Sequence, residues 1–189
     1  MAIKLDQILV IDIEATCWEG SPPLGEENEI IEIGICTLDI VSGERLIKES
    51  ILVKPERSKV SDFCTQLTTL TQAQVDKGIS FAEACDILRK KYLSKDRVWA
   101  SYGDYDRKQF EKNCQSHQVN YPFGPRHINV KTLFALMRAL PSEVGMVTAL
   151  EMMNLPLEGT HHRGGDDAWN IARILGMLLR FSAKAQQHT

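Results

Sequence analysis

Asp12 and Glu14 close an apolar run, ILVIDIEATC at residues 8–17. In an extended strand, residues two apart share a face, so the two carboxylates stand side by side. Burying one unpaired carboxylate is costly, and two close like charges repel unless a cation lies between them. Two further stretches carry paired acids, GDYDRKQF at 103–110 and HHRGGDDAWNIARIL at 161–175. Helical phase separates the members of each pair. Asp106 is in register with Phe110 and Cys114, whereas Asp104 is in register with Lys108, Glu111 and Gln115. Asp167 is in phase with Ile171, Ile174 and Leu178, and Asp166 with Asn170, Arg173 and Met177. Asp106 and Asp167 are therefore expected to point inward. Asp104 is expected as a helix N-cap, and Asp166 as a cap or a solvent-facing residue. Four converging carboxylates balance the charge of two divalent ions, and oxygen-only ligands suit Mg2+ or Mn2+. Two such ions about 3.5–4 Å apart form a clamp for in-line displacement at phosphorus.

The elements that must position these acids are legible in outline. Residues 6–14 read as a strand that is apolar on both faces and so central in its sheet. Residues 17–28 form a Pro-, Gly- and acid-rich loop. Strands over 29–40 and 45–53, joined by VSGE, complete an antiparallel meander. Residues 61–95 look helical, with Ser80 and Glu83 spaced as a capping box. A short strand at 97–102 precedes a helix at 104–117, and 127–130 offers a fifth strand. Helices follow near 131–139, 145–153 and 166–181. The expected fold is one α/β domain over 1–182, a mixed five-stranded sheet flanked by helices, with a frayed tail at 183–189.

With 189 residues and a net charge of −3, the chain is large enough for a substantial core and does not grip nucleic acid by overall basicity. No long apolar run or signal-peptide core is present, so the reading is a cytoplasmic protein without a membrane span. The five cysteines are widely spaced and read as buried reduced thiols, not as a zinc site or a disulfide framework.

DIEATC, GDYDRKQF and HHRGGDDA, in this order, resemble the three motifs of the DEDDh 3′–5′ exonucleases, the DnaQ-like superfamily with an RNase H-like fold. LTTLTQAQV (67–75) and EGTHHRGGDDAWNIA (158–172) bring the resemblance closest to the histone-mRNA and small-RNA 3′ exonucleases and the bacterial KapD-like proteins. It spans residues 8–180. The resemblance implies Asp12, Glu14, Asp106 and Asp167 as ligands of two divalent ions, Mg2+ or Mn2+. It implies His162 as general base, with Glu14 beside the attacking water and His161 as the open alternative to His162. Ile13, Ala15, Leu67, Thr68, Leu70 and His162 are implied to bind the terminal nucleotide. Thr69 stands where the family often has Gly. The implied reaction is stepwise release of nucleoside 5′-monophosphates from a single-stranded 3′ end, with RNA favoured over DNA.

Other residues have simpler readings. Arg107, Lys108 and Arg163 lie where they could touch phosphates, and LRKKYLSKDR (88–97) is a basic run, although solvated surface charge accounts for all of them. Trp99 reads as core, Trp169 is undecided, and Trp18 is the candidate for base stacking. Glu32 either orients a site residue or faces solvent. Two rival functions are a haloacid-dehalogenase-like phosphatase, with Asp12 as nucleophile, and a catalytically silent nucleic-acid-binding module on the same fold.

Overall fold

A computed structural model describes the backbone of residues 3–185 and the side chains through residue 180. Five strands form one sheet in the order β3-β2-β1-β4-β5. They are β1 (Lys4–Ala15), β2 (Ile30–Asp39), β3 (Arg45–Leu52), β4 (Arg97–Ser101) and β5 (His127–Asn129). β1, β2 and β3 make the antiparallel meander, and β4 and β5 run parallel to β1. β1 is the middle strand, buried on both sides from Ile8 through Val10, as its unbroken aliphatic run requires.

The alternation of β1 divides the core. Leu9, Ile11 and Ile13 pack on one face beneath α3 (Phe81–Lys91) and α4 (Tyr105–Ser116), through Phe81, Leu88 and Phe110. Ile8 and Val10 pack on the other face, against α5 (Val130–Met137), α6 (Met146–Met152) and α7 (Gly164–Ala185). Asp12 and Glu14 continue the second series and so face α7.

The helical region expected over 61–95, with Ser80 capping its second piece, is three helices, α1 (Asp62–Thr68), α2 (Gln72–Val75) and α3. Ser61 caps α1, and Thr69 ends it in the left-handed region at φ 63°. That backbone is disfavoured for a β-branched residue and common for Gly, which explains why Gly suits this position. Ser80 and Glu83 form the expected capping box on α3. The last helix continues past Ser182 to Ala185, and residues 186–189 of the expected tail lie outside the described residues.

α7 is seated on the sheet by direct backbone contact. A Cβ on Gly34 would lie 1.8 Å from the carbonyl carbon of Gly164, and one on Gly164 would lie 2.9 Å from the Gly34 nitrogen. Gly34 is the register partner of Asp12, so the start of α7 rests beside the first acid of β1's motif.

Candidate active site

Asp12 and Glu14 reach the α7 side of the sheet at the end of β1, and Asp167 reaches the same place from the first turn of α7. One carboxylate oxygen from each of the three lies within 4.8 Å of the others. Asp167 Oδ2 accepts the backbone N–H of His162 at 2.9 Å and meets His161 Nδ1 at 2.9 Å. Asp167 Oδ1 is buried and has no hydrogen-bond partner. Asp106, in the first turn of α4, is buried and accepts the backbone N–H of Ile13 at 3.0 Å. Its carboxylate is thereby tied to the chain between Asp12 and Glu14.

Helical phase sorts the acids of α4 and α7 as expected. Asp106 and Asp167 are buried, and Asp104 is exposed. Asp104 does occupy the N-cap position of α4, but its side chain makes no capping bond; Arg107 draws it away at 3.4 Å. Asp166 is a cap of another kind. It accepts the Thr160 N–H at 2.7 Å and pairs with Lys48 at 2.5 Å.

The buried acids favour either protons or cations among them. Burial first, and then the charges of Asp106, Asp167, Glu14 and Glu32, push Asp12 well above the usual carboxylate range. Burial and the neighbouring Asp167 and Glu32 push Glu14 up to about 8. Burial carries Asp106 to about 7 and also raises Asp167. Without ions the cluster holds protons near neutral pH that isolated carboxylates would release. An all-oxygen donor set containing a buried, unpartnered carboxylate oxygen fits hard divalent cations such as Mg2+ or Mn2+.

These acids sit in a cavity of about 360 Å3. Ile13, Ala15 and Leu67 line it, and Leu67 remains 38% exposed at its edge. Thr68 and Leu70 do not line it, against the expectation for a nucleotide pocket. Both are 0% exposed. The Thr68 hydroxyl closes the end of α1 by donating to Cys64 O and accepting the Leu70 N–H, and Leu70 packs with Ile31, Cys64 and Val75. Sequence reasoning missed Cys17, Tyr102, Tyr105, Met146 and Ile171 as lining residues. Tyr105 could have been found, because it immediately precedes inward-facing Asp106, and Tyr102 because it abuts the same motif; Met146 comes from a segment with no acidic motif.

Both candidate histidines line the cavity, with their rings stacked at 3.9 Å. The His161 ring contacts Asp167, whereas His162 contacts it through its backbone and keeps its own ring for the cavity. Burial and the neighbouring His161 lower the His162 pKa. A neutral imidazole is the form able to accept a proton.

The remaining questions have structural answers. Glu32 is fully buried and ion-paired with Arg163, so it does not face solvent. Trp99 stacks on Phe123 in the core at 4.3 Å. Trp169 donates to Glu158 and carries Arg45 over its ring. Trp18 is half-buried and lies outside the set of residues lining the cavity. In the basic run, Arg89 and Lys90 pair with Asp86, Lys91 with Glu49 and Arg97 with Asp6. Cys36, Cys64, Cys85 and Cys114 are buried thiols, but Cys17 is half-buried in the cavity wall. No described helix is long and apolar enough to cross a membrane.

The mixed sheet, with clustered acids at the end of its central strand, defines an RNase H-like nuclease fold. The chain belongs to the exonuclease family whose model matches residues 9–175. It is 33% identical over 185 residues to human 3′-5′ exoribonuclease 1, covering 93% of this chain and 53% of that protein. It is 27% identical to the probable 3′-5′ exonuclease KapD of Bacillus subtilis, covering 92% and 84%. The nuclease domain of 3′hExo, a DEDDh family member solved bound to rAMP, superposes with a TM-score of 0.83 at 32% identity, with 95% of each chain covered. The chain spans about half the length of the mammalian exoribonucleases it matches. Family membership overturns the phosphatase alternative; the antiparallel β2 and β3 stand where those enzymes carry a flap or helical insertion.

Proposed function

We propose that this chain is a divalent-metal-dependent 3′–5′ exonuclease, acting on single-stranded 3′ ends with RNA preferred over DNA and releasing nucleoside 5′-monophosphates. The observation that carries the reading is the convergence of Asp12, Glu14 and Asp167 within 4.8 Å, with Asp167 Oδ1 unpartnered. The names of the relatives support the 3′–5′ direction and the RNA preference. The reading takes residues 1–182 as one exonuclease domain in the cytoplasm, consistent with five free cysteines.

Asp12, Glu14, Asp106 and Asp167 would hold two ions, Mg2+ or Mn2+. Bound there, such ions supply Lewis acidity to the scissile phosphate and an activated water. The protein's own part is positional and acid–base. His162 accepts the proton of the attacking water, with His161 braced against Asp167 beside it. Ile13, Ala15 and Leu67 bound the space for the terminal nucleotide, together with Tyr105 and Met146. A cavity of about 360 Å3 suits one nucleotide at a time.

The test uses matched 5′-labelled single-stranded RNA and DNA with Mn2+, Mg2+ or EDTA, beside a His162→Ala control. A metal-dependent ladder shortening from the 3′ end, faster on RNA and lost in the control, is the expected result. Intact strands that remain bound would instead identify a silent binding module.

A further inference from the structure

We propose that Glu32 is a positioning residue for the exonuclease reaction, acting through Arg163 to fix the His162 loop and the start of α7. The proposal rests on the exonuclease reading above. Glu32 is 0% exposed and is the register partner of Glu14. It could be mistaken for a fifth member of the acidic cluster, but its oxygens are already used. Oε1 accepts from Arg163 Nη2 at 3.0 Å. Oε2 accepts from Arg163 Nε at 3.2 Å and from the Gly164 backbone N–H at 2.8 Å. This is a two-pronged guanidinium–carboxylate pair with a helix-start amide added, a geometry that fixes orientation as well as position.

The clamped segment is the one the reaction uses. Arg163 lies between His162 and Gly164, and its carbonyl accepts the Asp167 N–H at 2.9 Å, the first turn of α7. His162 sits at φ 63°, a left-handed backbone that a residue with a side chain holds only when its surroundings over-determine it. Two contacts supply that constraint. On one side the His162 N–H donates to Asp167, and on the other Arg163 is locked to Glu32. β2 thus holds the general base and a metal-binding acid in one register, with no contact of its own to substrate.

Three variants test this: Glu32→Gln, Arg163→Met and the double variant. Relief of a clamp that orients reacting groups lowers kcat by about 10–100-fold. KM for an oligonucleotide stays near the wild-type value, because the cavity walls from β1 and α1 are not held by Glu32. Hydrogen exchange in segment 159–167 should quicken while β1 and β4 stay protected. A purely structural ion pair makes a different forecast. Arg163→Met leaves a buried unpaired charge and lowers Tm, and the double variant removes that charge. A structural pair predicts that Tm and kcat recover together in the double variant. A positioning pair predicts that Tm recovers while kcat stays low. Wild-type kcat in Glu32→Gln, joint recovery, or unchanged exchange over 159–167 would each overturn the proposal. A wild-type protein that shortens no strand refutes the exonuclease reading instead, and the exchange data still decide whether Glu32 holds the loop.

Discussion

Glu14 and Glu32 stand opposite each other on neighbouring antiparallel strands, yet only Glu32 has a cation of its own. Arg163 pairs with Glu32, while Glu14 is pushed up to about 8 by burial and by Asp167 and Glu32. The sheet therefore sets a carboxylate paired within the protein beside one that shares its cavity with other acids.

The metal-free protein should lose stability as pH rises from about 5 to 8. Glu14 and Asp106 keep their protons in the folded state up to about 8 and about 7, whereas the unfolded chain has released them by then. The folded state binds more protons over this window, so the slope of stability against pH is negative. Calorimetry in EDTA should show Tm falling across the window, and saturating Mn2+ should reverse the fall. Asp12→Asn should raise the EDTA value at pH 8 by about 2–4 °C for each kcal/mol of repulsion removed, while abolishing turnover. A flat Tm in EDTA would mean that Glu14 and Asp106 are not held protonated above the usual carboxylate range.

The two aspartate pairs should part company. Asp106→Asn and Asp167→Asn should each remove measurable nuclease activity. Asp104→Asn, on an exposed residue with no capping bond, should change stability by no more than about 0.5 kcal/mol and leave activity intact. Asp166→Asn should weaken the Lys48 contact and the Thr160 cap without loss of chemistry. Gel-based rates with matched thermal melts measure all four.

The histidines should differ in kind. His162→Ala should lower kcat by about 10²–10⁴-fold, the usual contribution of a general base. His161→Ala should cost less, since its ring touches Asp167 and the neighbouring imidazole. Single-turnover rates with saturating Mn2+ distinguish the two; a larger loss in His161→Ala would reverse the assignment.

Gly34→Ala should be among the most damaging small substitutions. The added methyl would meet Gly164 backbone at 1.8 Å, and backbone cannot swing aside as a side chain can. Overpacking of this kind costs about 3 kcal/mol, and activity should fall with it because α7 carries Asp167. Chemical denaturation and the oligonucleotide assay on the same sample measure both effects.

The central place of β1, the antiparallel meander and the inward acids were readable in the sequence because each follows from local patterning. An aliphatic run without alternation marks a central strand, and a period of 3.6 tells Asp106 from Asp104. Thr68 and Leu70, named through the resemblance, are buried because α1 ends at Thr69 in a left-handed turn, which only the family's frequent Gly there foreshadowed. That turn sends Leu70 into the core and leaves only Leu67 at the cavity. The partner of Glu32 was hidden because it lies 131 residues away, and no local pattern encodes a pairing at that range. Tyr102 and Met146 are tied to each other's neighbourhood only through the fold, by the Tyr102 hydroxyl donating to Val144 O at 3.0 Å.

The seating of α7 on β1 and β2 also sets a mechanical tolerance. Asp12 and Asp167 belong to segments that touch main chain to main chain, through Gly34 and Gly164, with no flexible side chain between them. The approach of their backbones is thus limited by van der Waals radii, the stiffest quantities a protein has, while the Glu32–Arg163 clamp sets the register. A strand and a helix joined this way behave as one rigid body, so a displacement of the start of α7 is passed to β1 and β2 undiminished.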